Sequence, residues 1–313
     1  MKTRLILWCC LFIASLFVAC GEDSLTPSAP QEFYDFPQGD ADYDQEILAY
    51  YEEYNVQFLY KYRESDFRWN ITEYIPYYSV PGEEAYVGDA FYFVTEDCFS
   101  IWPDEFLRQV LPLRVLLASE IYGVSESYKS VWDEEEQIWQ SVKVYDTTYY
   151  ASVYGLNHVT FGYTNDTLDQ LLPQGRLNTI GEVTKSLIGY AASRDKIVIP
   201  TDFSDLFSTT FGSETPGQWG YNGYGFLEYN KNMDVNYDFG LYVKYMTTMS
   251  EEDFKAWALS DSFDVSSEWD QSINNYRRTY LIKQKYEAVL NYFKTTFNID
   301  LHAIGNQVAS MYK

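Results

Sequence analysis

The N-terminal residues decide how much of this chain is available to fold. Met1–Arg4 carries two positive charges, and the apolar run Leu5–Ala19 after it is too short to span a bilayer comfortably. Such a run fits the core of a secretory signal peptide. It ends in Phe17-Val18-Ala19-Cys20, and small residues before a cysteine are typical of bacterial lipoprotein cleavage sites. We therefore expect residues 1–19 to be removed and Cys20 to be lipidated.

Lipidation at Cys20 predicts a permanent attachment, because lipoprotein processing adds more than one acyl chain. Glu22 and Asp23 resemble the surface-export signal of Bacteroidota lipoproteins, so we expect an outer-membrane, cell-surface location. The alternative is an ordinary secretory signal in which the cysteine is incidental. Residues 20–40 contain three prolines and small polar residues, which predicts a flexible tether.

The composition of the remaining chain limits its partners. About 294 residues remain, enough for one large domain, which we place at 41–313. The net charge of −24 argues against nucleic acid and anionic lipid, which both need cationic patches. Cys98 is left as a single thiol, so we expect no internal disulfide and a buried cysteine.

Apolar periodicity predicts an α+β fold, with strands and hairpins early and a mainly helical C-terminal half. We predict a helix at Asp42–Tyr54, a strand at Val56–Tyr62 and a helix at Pro103–Tyr122 that Pro112 kinks. Two strands follow in Val142–Tyr163. Helical spacing then recurs at Asp166–Ala192 around a Pro173–Gly175 turn, and at Asp238–Met249, Glu251–Leu259, Trp269–Phe297 and Leu301–Tyr312. Thr201–Tyr229, dense in Gly, Ser and aromatic residues, predicts a loop.

Histidine is the residue type that most limits the chemistry. The chain has two, His158 and His302, and they form no His-x-x-x-His pair. A catalytic zinc site uses three protein ligands, commonly two histidines from one helix with a carboxylate or a third histidine. Paired carboxylates of the glycosidase type remain open, because 46 acidic residues offer too many pairs for sequence spacing to select one.

Several segments in order nevertheless resemble a known family. They are Tyr54-Asn55-Val56, Tyr60-Lys61-Tyr62-Arg63, Gly162-Tyr163-Thr164-Asn165, Ile282-Lys283-Gln284-Lys285 and Tyr292 to Leu301. Together they resemble the putative zinc-binding metallopeptidase family, also called substrate import-associated zinc metallohydrolase lipoproteins of Bacteroidota. The resemblance covers most of the chain after the leader. It implies a zincin-like metallopeptidase fold and a place beside an outer-membrane nutrient importer.

The resemblance also implies a site whose metal ligands are missing. In the family, a helix carries His-Glu-x-x-His, in which the histidines bind zinc and the Glu activates water. The matching positions are Gly181, Glu182 and Lys185, so Glu182 holds the general-base position, and Leu241 replaces a downstream acidic ligand. The Lys185 ammonium would repel Zn²⁺. We expect Glu182 to pair with Lys185, and we expect no cofactor, although the family uses zinc.

These expectations combine into a pseudoenzyme hypothesis: a surface lipoprotein that binds peptide or glycan, or assists an importer, without hydrolysis. Its ligand groove would lie between the Glu182 helix and a Gly-aromatic stretch. The candidate contacts there are Trp219, Tyr221, Tyr224 and Phe226. One alternative is an active hydrolase, with either a metal at Glu182, Asp238 and His158 or a carboxylate pair. Another is a structural lipoprotein without a small ligand.

Overall fold

The structure is a computed structural model that describes residues 34–68, 76–211, 225–230, 233–259 and 268–312. For 208–211 and 268–280 it describes the backbone. The chain divides into two units, Met1–Phe36 and Pro37–Lys313, and every element below belongs to the second. A membrane-spanning helix, long and apolar enough to cross a bilayer, is not found in the described ranges.

Helices and one mixed sheet make up the described part of the second unit. The helices are α1 Asp42–Tyr54, α2 Glu64–Phe67, α3 Val87–Tyr92, α4 Asp104–Val110, α5 Thr167–Gln170, α6 Pro173–Ser193, α7 Thr201–Phe211, α8 Val235–Thr248, α9 Glu251–Ala258, α10 Glu268–Phe297 and α11 Leu301–Met311. A 3₁₀ turn at Glu84–Tyr86 and a π-helical segment at Phe93–Phe99 flank α3. The strands are β1 Gln57–Leu59, β2 Tyr77–Pro81, β3 Arg114–Asp133, β4 Ile138–Tyr149, β5 Ser152–Tyr154 and β6 His158–Phe161.

The long strand β3 organises the sheet. Its first residues pair in parallel with β1 on one side and β6 on the other, and β5 extends the sheet beyond β6. Its later residues pair antiparallel with β2 and β4. Val115, Leu116 and Leu117 are almost fully buried, as expected for parallel strands covered on both faces. α6 packs against β5 and β6 and also against α8, so the middle of α6 lies between the sheet and a helix.

The predicted helix Pro103–Tyr122 is wrong in its second half. α4 ends at Val110, and the chain enters β3 at Arg114 instead of continuing as a kinked helix. Leu111 is extended, with φ −56° and ψ 142°, because the residue before a proline is disfavoured in the helical region. Apolar residues beyond Pro112 satisfy helical and buried-strand spacing equally well, and pairing with β1 and β6 decides for the strand.

Most other sequence predictions agree with the fold at the level of element type. All described strands lie between Gln57 and Phe161, with short helices among them, and the described elements from Thr167 onward are helices. The predicted mixture of α and β structure, with a mainly helical C-terminal half, is therefore confirmed. The Pro173–Gly175 turn is wrong, because Pro173 occupies the first turn of α6, where its missing N–H is not needed. The Thr201–Tyr229 loop is wrong over α7. Cys98 is a buried free thiol, as predicted.

The compact unit begins earlier than the expected residue 41. The Gln38 side chain accepts hydrogen bonds from the backbone N–H groups of Tyr60 and Lys61 and donates one to the Lys61 carbonyl. A Cβ on Gly39 would approach Asp44 and Tyr60 to 2.7 Å. Gln38 and Gly39 therefore pack on the domain and are not part of a free tether.

Candidate functional site

Two glycines bring α6 and α8 into close contact. A Cβ at Gly181 of α6 would lie 3.0 Å from Cγ of Lys244, and a Cβ at Gly240 of α8 would lie 3.1 Å from the Lys185 carbonyl oxygen. Larger side chains at either position would force the helices apart, because protein interiors leave little spare room. The close approach lets charged side chains from both helices meet at their junction.

Four side chains form a charge cluster at this junction: Glu182 and Lys185 of α6, Lys244 of α8, and Glu228 from the segment before α8. The Lys244 ammonium donates to Oε1 of Glu182 at 2.7 Å and to Oε1 of Glu228 at 2.6 Å. The Lys185 ammonium lies 2.5 Å from the second oxygen of Glu182, so the predicted pairing of these two residues is confirmed. The four side chains are 10–29% exposed, so the cluster is partly open to solvent.

Two tyrosines complete the surroundings of the charge cluster. The Tyr245 hydroxyl donates to Glu228, and the Tyr245 ring centroid lies 4.7 Å from the Lys244 ammonium. The Lys185 ammonium lies 3.5 Å from the Tyr237 hydroxyl and 4.8 Å from its ring centroid. Each ammonium thus contacts a carboxylate and an aromatic ring, and both kinds of contact stabilise its positive charge.

Electrostatics favours the charged forms of Glu182 and Lys244. Burial alone would raise the pKa of Glu182, but the neighbouring ammonium groups of Lys185 and Lys244 outweigh it and hold that pKa below its usual value. Burial likewise opposes the charge on Lys244, and the carboxylates of Glu182 and Glu228 reverse this and raise its pKa. Glu182 is therefore a carboxylate with both oxygens engaged, and it has little tendency to accept a proton.

The residues at the positions that resemble zinc ligands do not fit a zinc ion. Gly181 and Lys185 lie one turn apart on α6, and the fully buried Leu241 lies on α8. A hydrogen, an ammonium and an isobutyl group offer no lone pair to a metal. Across the described residues, no group of three or more His, Cys, Asp or Glu side chains is placed to hold a metal ion.

Glu182, Asp238 and His158, the residues of the alternative metal site, do not come together in the structure. His158 is buried on β6, where its Nδ1 lies 3.2 Å from Asn157 Oδ1 and its ring lies 5.7 Å from that of Phe67. Burial and the neighbouring Arg114 lower the pKa of His158 to about 4, so its imidazole is neutral. Its partners belong to the sheet region, whereas Asp238 and Glu182 pair with lysines of the helical region.

A second lysine–carboxylate pair lies inside the helical region, and sequence reasoning missed it. The Lys285 ammonium of α10 donates to Oδ2 of Asp238 at 2.8 Å, and both side chains are fully buried. It also donates to the Gly225 carbonyl at 3.2 Å, and the Phe226 ring centroid lies 4.3 Å from it. Phe226 is 1% exposed, so it belongs to the core, and its expected role as a ligand contact is not supported.

Burial raises the pKa of Asp238 to about 6, with Lys285 opposing the shift. A folded-state pKa above the unfolded value means that folding favours the protonated form. The resulting contribution to stability is present at acidic pH and is lost as the pH rises through about 6. Ionisation of Asp238 is thus less favourable inside the protein than in water, and the Lys285 ammonium offsets only part of that difference.

The remaining sequence candidates lie outside the described residues. These are the aromatic residues Trp219, Tyr221 and Tyr224 and the lipidation position Cys20. Lys244 and Glu228, which complete the charge cluster, had no sequence signal, because a lysine and a glutamate 16 residues apart match no motif.

Replacing Lys244 by Met tests the charge cluster. We expect the free energy of unfolding at pH 7 to fall by about 1 to 3 kcal/mol, because Glu182 and Glu228 lose their shared cation in a partly buried place. Urea denaturation measures this. The matched control is Lys255→Met, which breaks an exposed pair with Glu251 of α9 and should cost less than about 0.5 kcal/mol. Equal losses in the two variants would contradict the account.

Replacing Lys285 by Met tests the buried pair through its pH dependence. Asp238 then has no cation, so its pKa should rise further and the stability of the variant should fall steeply between pH 5 and 8. The double variant Asp238→Asn, Lys285→Met has no titrating carboxyl and should show a shallower slope over this range. Denaturant midpoints at several pH values provide the measurement, and identical slopes would show that Asp238 does not titrate as described.

Comparisons with known proteins add one structural similarity. Neither protein-family models nor curated protein sequences give a match to this chain. The fold is similar to a crystal structure described as "a putative zinc-binding metallo-peptidase from Bacteroides caccae". The TM-score is 0.48 at 15% sequence identity, and the superposition covers 88% of this chain and 94% of the other.

Proposed function

We propose that this chain is a non-hydrolytic binding protein with a zincin-like fold, and that ligands bind at the charge cluster between α6 and α8. The proposal combines the sequence resemblance to zinc metallopeptidases with the absence of metal-ligating groups at the matching positions. The ligand site would lie where a zinc metallopeptidase has its catalytic centre, but it would lack the groups that bind the metal and activate water.

The state of Glu182 is the observation that carries the proposal. A general base needs a carboxylate with a free oxygen and a pKa raised toward the working pH. Here both oxygens of Glu182 contact ammonium groups, at 2.5 and 2.7 Å, and the pKa is lowered. Lys244 supplies the positive charge that a metal would otherwise supply, and it cannot polarise a water molecule as a metal does.

The charges of the cluster favour a peptide as the ligand of this site. Two ammonium groups and two carboxylates lie side by side, partly exposed, with tyrosine rings beside them. A peptide offers charged side chains or termini of both signs to such a surface, and an uncharged glycan does not. We therefore assign peptide binding to this site in preference to glycan binding.

A membrane anchor and an importer are the remaining parts of the proposal. The Cys20 sequence supports a lipoprotein held at the outer membrane and facing outward, where it would assist a nutrient importer. Mass spectrometry of the protein expressed in a bacterial host with lipoprotein processing should find acylated Cys20 at the N-terminus. Recovery of Cys20→Ala in the membrane fraction, with the same mature N-terminus, would contradict the anchor.

Zinc content and peptide hydrolysis test the loss of catalysis. After equilibration with Zn²⁺, the purified full chain in detergent should hold less than about a tenth of an equivalent of zinc by elemental analysis. It should cleave no peptide in a mixed peptide library, and Glu182→Gln should behave identically. Stoichiometric zinc, or hydrolysis that Glu182→Gln abolishes, would overturn the proposal. Retention of library peptides that Glu228→Ala weakens separates a binding protein from a structural one.

A further inference from the structure

The hairpin β3–β4 extends beyond the rest of the sheet. β3 pairs with β2 as far as Gly123, and beyond it the described residues pair β3 with β4 alone, in unbroken register to the Asp133–Ile138 pair. We call Val124–Asp133 together with Ile138–Thr147 the β-arm. Most of its side chains are exposed. An isolated two-stranded ribbon is marginally stable, so exposed apolar residues on it point to an interaction.

All four aromatic side chains of the β-arm lie on one face. Directly opposite residues of an antiparallel pair share a face, as do residues two apart along a strand. Opposite pairs such as Tyr128–Lys143 and Trp132–Trp139 therefore define a single aromatic face. Its members on the arm are Tyr128, Trp132, Trp139 and Tyr145, and it continues at the base as Tyr78, Tyr122 and Tyr149. Tyr128, Trp139 and Tyr145 are 68%, 68% and 61% exposed.

Hydrogen-bonding side chains alternate with the aromatic rings on the same face. Ser130 and Ser141 lie between the tip tryptophans and Tyr128, and Thr147 lies between Tyr145 and the base. The face carries one cation, Lys143, and its ammonium lies 2.6 Å from Glu126 of the same face. The aromatic face is therefore locally neutral, and Ser and Thr hydroxyl groups, Val124 and the Lys143–Glu126 pair lie between its rings.

The shape of the aromatic face fits a polymer chain better than a globular partner. From the Tyr122–Tyr149 pair to the Trp132–Trp139 pair it is about 34 Å long, and two strands make it about 10 Å wide. This footprint is less than half of the roughly 800 Å² per partner that stable protein interfaces bury. A second copy would also bring together two chains of net charge −24. A single extended chain covers a long, narrow strip without these costs.

The charges of the β-arm decide against an anionic chain. The turn at its tip carries Glu134, Glu135 and Glu136 next to Asp133, and the salt bridges of the described residues include none of these four. Asp133 instead accepts hydrogen bonds from the Glu135 and Glu136 backbone N–H groups. Acidic polysaccharides and anionic membranes would be repelled here. An uncharged chain meets no such barrier.

We propose that the aromatic face of the β-arm binds an uncharged polysaccharide chain. The C–H faces of sugar rings are apolar and stack on Tyr and Trp rings, while their hydroxyl groups reach the Ser and Thr side chains between them. This site is separate from the charge cluster, and it stands whether or not the peptide site exists. It assigns the glycan to the β-arm and leaves the peptide to the charge cluster.

Binding of defined polysaccharides to the full chain tests the proposal. The protein is immobilised in detergent, and hydroxyethylcellulose, xyloglucan, galactomannan, amylopectin and the anionic polygalacturonate are passed over it. At least one uncharged polymer should bind. Trp139→Ser and Tyr145→Ser should each weaken that binding by about tenfold or more. Trp139→Phe keeps an aromatic ring and should retain most of the binding.

Matched controls lie on the opposite face of the β-arm. Val131→Ser and Val142→Ser remove exposed apolar side chains, 50% and 42% exposed, and should leave the affinity within about twofold. Thermal unfolding of all variants checks that the fold is retained, as expected for exposed positions. The proposal is overturned if none of the uncharged polymers binds, if polygalacturonate alone binds, or if the valine variants weaken binding as much as the Trp139 and Tyr145 variants. Peptide binding at the charge cluster should be unchanged in every variant.

Discussion

The Lys244 ammonium is the contact on which the candidate site depends. It reaches across the junction of α6 and α8 and joins Glu182 to Glu228, at 2.7 and 2.6 Å. Gly181 makes this reach possible, since any side chain there would meet the Lys244 methylenes at about 3.0 Å. The same glycine stands at a position that resembles a zinc ligand. The close packing of α6 on α8 and the charge cluster at their junction therefore depend on the same residue.

Local signals in the sequence predict most of the fold. The alternation predicted near Val142–Tyr163 forms strands, and the side chains of Ser250 and Asp300 cap α9 and α11 by accepting hydrogen bonds from backbone N–H groups. The failure at Arg114–Tyr122 has a physical cause, because a fully buried parallel strand and a buried helix share the same apolar pattern. Only the partners β1 and β6, which are distant in sequence, decide between them.

The site is less predictable than the fold. The sequence indicated Glu182, Lys185 and their pairing, since they are neighbours on one helix turn. It gave no indication of Lys244, Glu228 or the buried Asp238–Lys285 pair, because these contacts join residues 16 to 62 positions apart through tertiary packing. The aromatic face of the β-arm is encoded more simply, because in a hairpin of constant register the residue numbers alone place Tyr128, Trp132, Trp139 and Tyr145 on one side.

The pKa of Glu182 is the most direct test of the central claim. It can be measured by a ¹³C NMR titration of the glutamate carboxyl carbons in the labelled full chain, with the signal assigned by comparison with Glu182→Gln. The account predicts a pKa below the ordinary glutamate value of about 4.3, and a rise in Lys244→Met. A pKa raised toward neutrality in the unmodified chain would contradict it, because Glu182 would then have the property of a general base.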